Sequence, residues 1–220
     1  MHAARYIDKF PALVIYDQFV EEAQRVLKVE NLRKVAFDRW TDVQPCILDL
    51  GKRERQKKSI SDIFSTMDSE GICQNTTVII VNFLEYNNIL PMILLVYLVP
   101  SDSRQKVDHE AIISFIPASV DIKRTATSVH SPTPTLLCCL ELKKSILVVD
   151  KTVVLELPIE ESAIALLISY YNFNIGYPKG FHRYFMLLEM LLLDIKQAKV
   201  DRKVQTILSC LHKSSASIEP

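Results

Sequence analysis

Cysteine and histidine are the residue types in this sequence that could serve as nucleophiles or metal ligands. The five cysteines are Cys46, Cys73, Cys138, Cys139 and Cys210, and the five histidines are His2, His109, His130, His182 and His212. Structural zinc sites usually take ligand pairs that lie close in sequence, as in Cys-x-x-Cys. No Cys-x-x-Cys occurs and no two histidines are three or four residues apart. The spacing therefore predicts no metal site.

Cys138 and Cys139 are the cysteines in the most distinctive setting. A cysteine nucleophile would need His130 or His182 as a base and a third group that orients the imidazole. The apolar run 136–140 around the two thiols is instead typical of a core strand, where a thiol keeps or raises its pKa. The sequence also lacks a Gly-x-Ser-x-Gly motif. We therefore predict no catalytic residues and no enzyme.

Phosphate loops and paired carboxylates are two further kinds of site. Gly176 and Gly180 precede a predicted helix, whose N-terminus together with Lys179 could hold an anion, but the spacing fits no phosphate-loop motif and a turn is the alternative. The chain has only 4 glycines. The acidic groups are Glu21-Glu22, Asp108 with Glu110, and Glu160-Glu161, all at predicted helix starts. A carboxylate there is explained by the helix dipole, and we predict no cofactor.

A run of basic residues is the first feature that indicates binding. Its cations are Lys52, Arg53, Arg55, Lys57 and Lys58. Such runs contact nucleic-acid phosphates or act as nuclear-import signals. They also form solvated helix ends, where cations complement the dipole. Both interpretations stay open, although the net charge of zero argues against a general polyanion binder.

An apolar stripe near the C-terminus is the second such feature. Its residues are Phe181, Tyr184, Phe185, Leu188, Leu191, Leu192 and Ile195, at a spacing that places them on one helix face. Core packing explains such a face. The alternative is a face that docks a protein partner, with Phe181, Tyr184, Phe185 and Leu188 as contact residues.

Length and composition indicate what kind of fold positions these residues. The chain has 220 residues, 49% of them hydrophobic, which is enough for a large core without disulfides or metals. The N-terminus does not resemble a signal peptide, and the apolar run 89–100 is too short to span a bilayer. We expect reduced thiols in an intracellular protein, cytoplasmic or nuclear, with no membrane role.

Helices are predicted for the first third of the chain. Asp17 is expected to cap one helix and Asn31 a second, which Pro45 ends. A shorter helix is predicted over 61–67. A polar connection over 68–71 then predicts a boundary near residue 72.

The rest of the chain predicts an α+β domain. Residues 77–86 favour a strand, 89–99 favour a buried strand or helix, and 108–116 favour a short helix. Three branched runs between 136 and 157, separated by polar pairs, predict an antiparallel meander. Helices follow at 159–170, 181–195 and 201–212. The fold class is therefore α+β, with N-terminal helices and a small antiparallel sheet (about 135–157) packed against C-terminal helices. The domains are 1–72, a helical segment, and 73–220.

Four motifs in this order carry a resemblance to a known family. They are Leu98-Val99-Pro100, Thr135-Leu136-Leu137-Cys138-Cys139, Ile146-Leu147-Val148-Val149-Asp150, and the run 170–179 with the sequence Tyr-Tyr-Asn-Phe-Asn-Ile-Gly-Tyr-Pro-Lys. Together they resemble the region that follows the sterile alpha motif in vertebrate sterile alpha motif domain-containing protein three-like proteins, over about 89–212. The resemblance implies no catalytic residue. No sterile-alpha-motif bundle is recognisable upstream, so self-association through that domain is not implied.

These observations favour a binding function. We expect a non-enzymatic protein–protein interaction module, with self-association as one form of it. The alternative is a nucleic-acid-associated protein that uses the basic run 52–58, and the genomic setting of the family that the chain resembles implies a mobile-element or host-defence origin for it. The two differ in what they predict, because phosphate binding weakens with salt.

Overall fold

The computed structural model describes residues 3–70, 88–102, 107–129, 131–195 and 199–216, with the backbone alone over 66–70 and 212–216. Helices and one sheet make up these residues, which confirms the predicted α+β class. The chain divides into two compact units, Met1–Asp38 with His109–Lys179, and Arg39–Asp108 with Gly180–Pro220. The predicted boundary near residue 72 and the predicted strand over 77–86 lie outside the described residues. The division into 1–72 and 73–220 stays a prediction.

The first unit begins with α1 (Ala3–Lys9), a 3-10 turn (Pro11–Val14) and α2 (Tyr16–Leu27). The cap predicted for Asp17 is wrong, because Ile15 occupies the N-cap position and Asp17 lies inside the first turn. The apolar face of α2 packs against α7 (Ser162–Asn172). Asn172 Nδ2 donates to the Phe19 carbonyl oxygen at 2.8 Å, so a buried hydrogen bond joins the two helices.

Helix α3 (Leu32–Arg53) continues through Pro45, so the helix end predicted at this residue is wrong. A proline inside a helix costs about 3 kcal/mol. The apolar face of the helix continues past it, however, and Cys46, Ile47 and Leu50 are all buried. Burying a large apolar side chain contributes about 1.5–3 kcal/mol, which outweighs the cost. At the helix start, the Asn31 carbonyl oxygen accepts the Val35 N–H at 3.0 Å, so Asn31 lies at the predicted N-cap position, and the Gln24 side chain accepts the Leu32 N–H at 2.8 Å.

The sheet of the first unit has four strands in the order β1-β2-β3-β4. They are β1 (Ile113–Phe115), β2 (Thr135–Cys139), β3 (Lys144–Val149) and β4 (Thr152–Pro158). Strands β2 to β4 are antiparallel, which confirms the predicted meander. Strand β1 pairs with β2 in parallel, so the helix predicted over 108–116 is wrong. Only a 3-10 turn (His109–Ala111) precedes β1, because the pairing with β2 takes the backbone hydrogen bonds that a helix would use.

Both faces of the sheet are covered. Ala126 of α6 (Ile122–Ser128) packs on one face, with Ile146 and Val148 of β3. The neighbouring Ser145 must point to the other face, where its hydroxyl accepts a hydrogen bond from Ser162 of α7 at 2.6 Å. Burial on both faces explains why β2 and most of β3 are continuous apolar runs without alternation.

The second unit is helical in its described parts. Besides the later part of α3 it contains α4 (Lys58–Glu70), α5 (88–98), α8 (His182–Leu188) and α9 (Arg202–Ala216). The sequence left open whether residues 89–99 form a strand or a helix, and the structure shows the helix α5 there. This helix is apolar nearly all round and buried, as expected of a helix in the middle of a core. A Cβ on Gly51 would lie 2.8 Å from Leu94 Cδ1, so α3 and α5 approach closely there.

Arg183 of α8 joins two other parts of the second unit. Its guanidinium donates to the Pro100 and Ser101 carbonyl oxygens after α5, at 3.3 and 2.7 Å. The same side chain pairs with Asp201 at 3.0 Å. Asp201 in turn accepts the Lys203 N–H at 2.8 Å at the start of α9. Arg183 therefore connects the C-terminal end of α5 with the N-terminal cap of α9.

We expect Arg183→Met to lower the free energy of unfolding by about 1–2 kcal/mol, since it removes charged hydrogen bonds to partly buried groups. Arg183→Lys keeps the positive charge at this position, so its free energy of unfolding should fall by less. Urea denaturation followed by circular dichroism measures both variants. An unchanged midpoint in Arg183→Met would contradict this role.

Candidate functional site

The cysteines and histidines do not form a reactive group among the described residues. Cys46, Cys138, Cys139 and Cys210 are free thiols, and Cys73, His2 and His130 lie outside the described residues. Burial raises the pKa of Cys138 to about 12, so this thiol stays protonated near neutral pH. In the described part of the chain, no three His, Cys, Asp or Glu side chains are placed to hold a metal ion.

All five cations of the predicted basic run are exposed. Three of them have local partners, since Arg53 pairs with Asp49 and Lys57 with Glu54, while the Arg55 guanidinium lies 5.1 Å from the centre of the Phe64 ring. Lys52 and Lys58 have no ion-pair partner among the described residues. Two of the five charges, those of Arg53 and Lys57, are thus compensated by neighbouring carboxylates, and nucleic-acid contact by this run stays a prediction.

The four residues of the predicted partner face are buried in the second unit. Phe181, Tyr184, Phe185 and Leu188 are at most 3% exposed. The Tyr184 and Phe185 rings meet edge to face, with centroids 5.0 Å apart. The structure therefore assigns these side chains to the core, the other interpretation of the stripe, and they offer no surface to a partner in this conformation.

A buried charge cluster in the first unit was missed at the level of sequence. The carboxylate of Glu161, with 8% of its side chain exposed, accepts hydrogen bonds from Tyr16 Oη and Arg33 Nε, both at 2.8 Å. Arg33 also pairs with Asp17 at 2.9 Å and lies 5.0 Å from the centre of the Tyr16 ring. Glu161 is predicted to act as a helix-start carboxylate, but its side chain makes no cap hydrogen bond. Its partners are 128 and 145 residues away, and no spacing rule predicts such contacts.

A cavity of about 400 Å³ opens beside this cluster. Six of its seven lining residues are polar or charged, and the lining consists of Gln24, Asn31, Arg33, Lys34, Phe37, Asp38 and Glu161. Arg33 and Glu161 already neutralise each other, so a charged ligand would have to compete with an existing ion pair. The cluster is therefore best explained as a structural connection between α2, α3 and the start of α7.

Tyr16 gives this cluster a testable pH dependence. Burial, and then the Glu161 carboxylate, raise the pKa of Tyr16 above its usual value of 10.0. Above about pH 10 the folded state therefore keeps the phenolic proton of Tyr16, whereas the unfolded state loses it. The stability that the protonated Tyr16 hydroxyl contributes is complete below about pH 10 and is lost as the pH rises further.

We expect the free energy of unfolding of Tyr16→Phe to fall less steeply above about pH 10 than that of the unaltered protein. Urea denaturation at a series of alkaline pH values measures the two slopes. Tyr170, whose pKa burial also raises, provides a second site, and Tyr170→Phe should add to the effect. Identical slopes in all variants would show that neither hydroxyl is held in its protonated form.

An exposed apolar patch near the N-terminus was also missed. Phe10, Val14 and Ile15 are 51%, 45% and 57% exposed within six consecutive residues. Next to it lies a depression of about 810 Å³. The charged groups in that depression are largely satisfied, because Arg25 holds Glu22 through two hydrogen bonds of 2.8 and 2.6 Å. This surface is therefore mixed in character and shows no converging polar groups.

An apolar groove in the second unit has the most distinctive lining. It has a volume of about 420 Å³ and is formed by α3, α9 and the π-helical turn (Glu189–Leu193) that continues α8. The lining residues are Arg39, Asp42, Val43, Cys46, Met190, Leu191, Asp194, Ile195, Leu208 and Leu211. Five of the apolar ones are half-buried: Val43, Met190, Leu191, Ile195 and Leu208. Turns of the π type occur often at functional sites.

The charged groups among the described lining residues of this groove lie at its rim. Arg39 pairs with Asp194 at 3.3 Å, and both side chains are well exposed. Asp42 is exposed and has no hydrogen-bond or ion-pair partner among the described residues. Inside the groove, burial and then the charge of Asp49 raise the pKa of Cys46. The groove thus combines an apolar floor with an acid at its edge, Asp42, that is unpaired within the described part of the chain.

Comparison with known proteins gives no relative for this chain. No protein-family model matches its sequence. No curated protein and no solved structure matches it either. The resemblance to the sterile alpha motif domain-containing protein three-like region therefore stays an expectation.

Among the residues that the structure describes, no helix combines the length and the hydropathy needed to cross a bilayer.

Proposed function

We propose that this chain is a non-enzymatic interaction module that binds a protein partner in the groove of the second unit. The observation that carries the proposal is the lining of the groove, where five half-buried apolar side chains from three elements face one space of about 420 Å³. Protein interfaces have the same plan, with an apolar centre and a polar rim. Burial of such a centre provides much of the binding free energy.

Leu191 is the residue with which to test this proposal. It is half-buried in the π-helical turn and lines the groove. Leu142 provides the matched control, because it is 51% exposed in the turn between β2 and β3 of the first unit. Leucine-to-serine substitution at both positions makes the same chemical change inside and outside the groove.

The test is quantitative capture of binding proteins from an extract of the source organism, with the full chain as bait. We expect a set of proteins that is retained by the unaltered chain and by Leu142→Ser and is lost, by roughly tenfold or more, from Leu191→Ser. Circular dichroism and urea denaturation confirm that both variants fold. Identical protein sets for all three baits would refute binding through the groove.

Nucleic-acid association is the second candidate, and the exposure of all five cations between 52 and 58 supports it. It requires binding to DNA or RNA that weakens with salt and falls when Lys57 and Lys58 are replaced by alanine. Binding that is independent of salt would argue against it. Because Lys57 already pairs with Glu54, we consider it the weaker candidate.

A further inference from the structure

We infer that the groove accepts an amphipathic α-helix of a partner protein, and that this helix carries a basic residue beside its apolar stripe. The inference rests on the proposed function and specifies the chemistry of the partner. Three properties of the groove carry it: the spacing of its lining residues, the exposure of its floor and the charge at its rim.

The spacing of the lining residues fits a helix. On α3 they are Arg39, Asp42, Val43 and Cys46, which occupy one face over two turns, or about 10 Å. Leu208 and Leu211 on α9 are likewise one turn apart. A helix laid into such a groove presents apolar side chains at positions i, i+3 or i+4, and i+7 over the same length.

The exposure of the floor favours a macromolecular partner over a small ligand. Pockets for small molecules bury about 70–90% of the ligand surface. Here Met190, Leu191 and Ile195 are only half-buried, so a small apolar ligand would stay partly in water. A partner helix covers the floor with its apolar face and presents its polar face to the solvent.

The charge at the rim of the groove favours a partner helix of one charge sign over the other. Among the described lining residues, the rim holds one cation, Arg39, and two carboxylates, Asp42 and Asp194. Because Arg39 pairs with Asp194, the charge of Asp42 remains uncompensated among the described residues. A lysine or arginine of the partner would pair with Asp42, whereas an acidic residue would be repelled.

Three synthetic peptides of about 14 residues, a length at which isolated helices begin to form, provide the probes. Each has leucines at helical spacing on one face, and the other face carries lysine, glutamate or glutamine. Fluorescence anisotropy of the labelled peptides measures their affinity for the full chain at low salt. Exposed pairs contribute modestly, so we expect the lysine peptide to bind roughly fivefold or more tightly than the glutamate peptide, with the glutamine peptide between them.

Variants connect this preference to named residues. Asp42→Lys should reverse the order of the two charged peptides, and added salt should reduce the difference between them. Leu191→Ser should weaken the binding of all three peptides, while Leu142→Ser should leave it unchanged. These effects locate the binding in the groove and separate it from general attraction of a basic peptide to the surface.

Several results would overturn the inference. Equal or tighter binding of the glutamate peptide would refute the charge preference and leave the proposed function intact. If none of the peptides binds, while capture of proteins still depends on Leu191, the partner is not a helix of this kind. A dimer in light scattering that Leu191→Ser dissociates would make a second copy of the chain the occupant. Capture that does not depend on Leu191 would instead refute the proposed function itself.

Discussion

Phe185→Ala is expected to lower the free energy of unfolding by about 3–5 kcal/mol, the cost of removing a fully buried phenylalanine and leaving a cavity. Phe185 is 0% exposed and its ring contacts Phe181 and Tyr184, with centroids 6.5 and 5.0 Å away. Urea denaturation of the full chain measures the loss. The result distinguishes the two interpretations of the stripe, because replacing an exposed phenylalanine on a partner-binding face would change the free energy of unfolding only slightly.

The control for this substitution is Phe10→Ala. Phe10 is 51% exposed, so the same chemical change should cost less than about 1 kcal/mol. If Phe185→Ala proved as mild as Phe10→Ala, the assignment of Phe185 and its buried neighbours Phe181, Tyr184 and Leu188 to the core would be wrong. The interpretation of this stripe as a partner face would then be favoured again.

Arg33→Met is expected to have the second largest effect, a loss of about 2–3 kcal/mol in the free energy of unfolding. The substitution leaves the Glu161 carboxylate buried without its cation, and loss of one partner of a buried pair typically costs about 3–5 kcal/mol. The expected value is lower because the Arg33 side chain is 47% exposed, so water can reach the site.

A second substitution in the same cluster tests the cause of this loss. Glu161→Gln removes the buried charge, so Arg33→Met/Glu161→Gln should be more stable than Arg33→Met alone. Urea denaturation of the single and double variants gives the coupling free energy between the two sites. Simple additivity of the two losses would show that the ion pair does not explain the effect.

The C-terminal apolar stripe shows that one helix face in the sequence can be divided between the core and a groove in the fold. Periodicity predicts that Phe181 to Ile195 form one apolar face, and the structure divides this face. Phe181, Tyr184, Phe185, Leu188 and Leu192 are buried in the core, whereas Leu191 and Ile195 line the groove. Within the π-helical turn, adjacent residues therefore serve different surroundings, since Leu191 faces the groove and Leu192 the core.

Local chemistry determined the elements that the sequence predicted correctly. The Asp150-Lys151 turn joins β3 and β4, and both residues have a positive φ, as a two-residue hairpin requires. Asp201 caps α9 through the Lys203 N–H, as expected from an acidic residue at a helix start. These features depend on residues a few positions apart, so they can be predicted from the sequence alone.

Only the tertiary structure decided the remaining features. Pro45 lies within α3 because burial of the surrounding residues outweighs a local cost, and β1 forms because β2 is available to pair with it. Glu161 forms hydrogen bonds with Tyr16 and Arg33, which lie 145 and 128 residues away in the sequence. The groove likewise combines side chains from three segments that are distant in sequence. Periodicity reports that a helix face is apolar, but whether another element covers that face depends on how the whole chain packs.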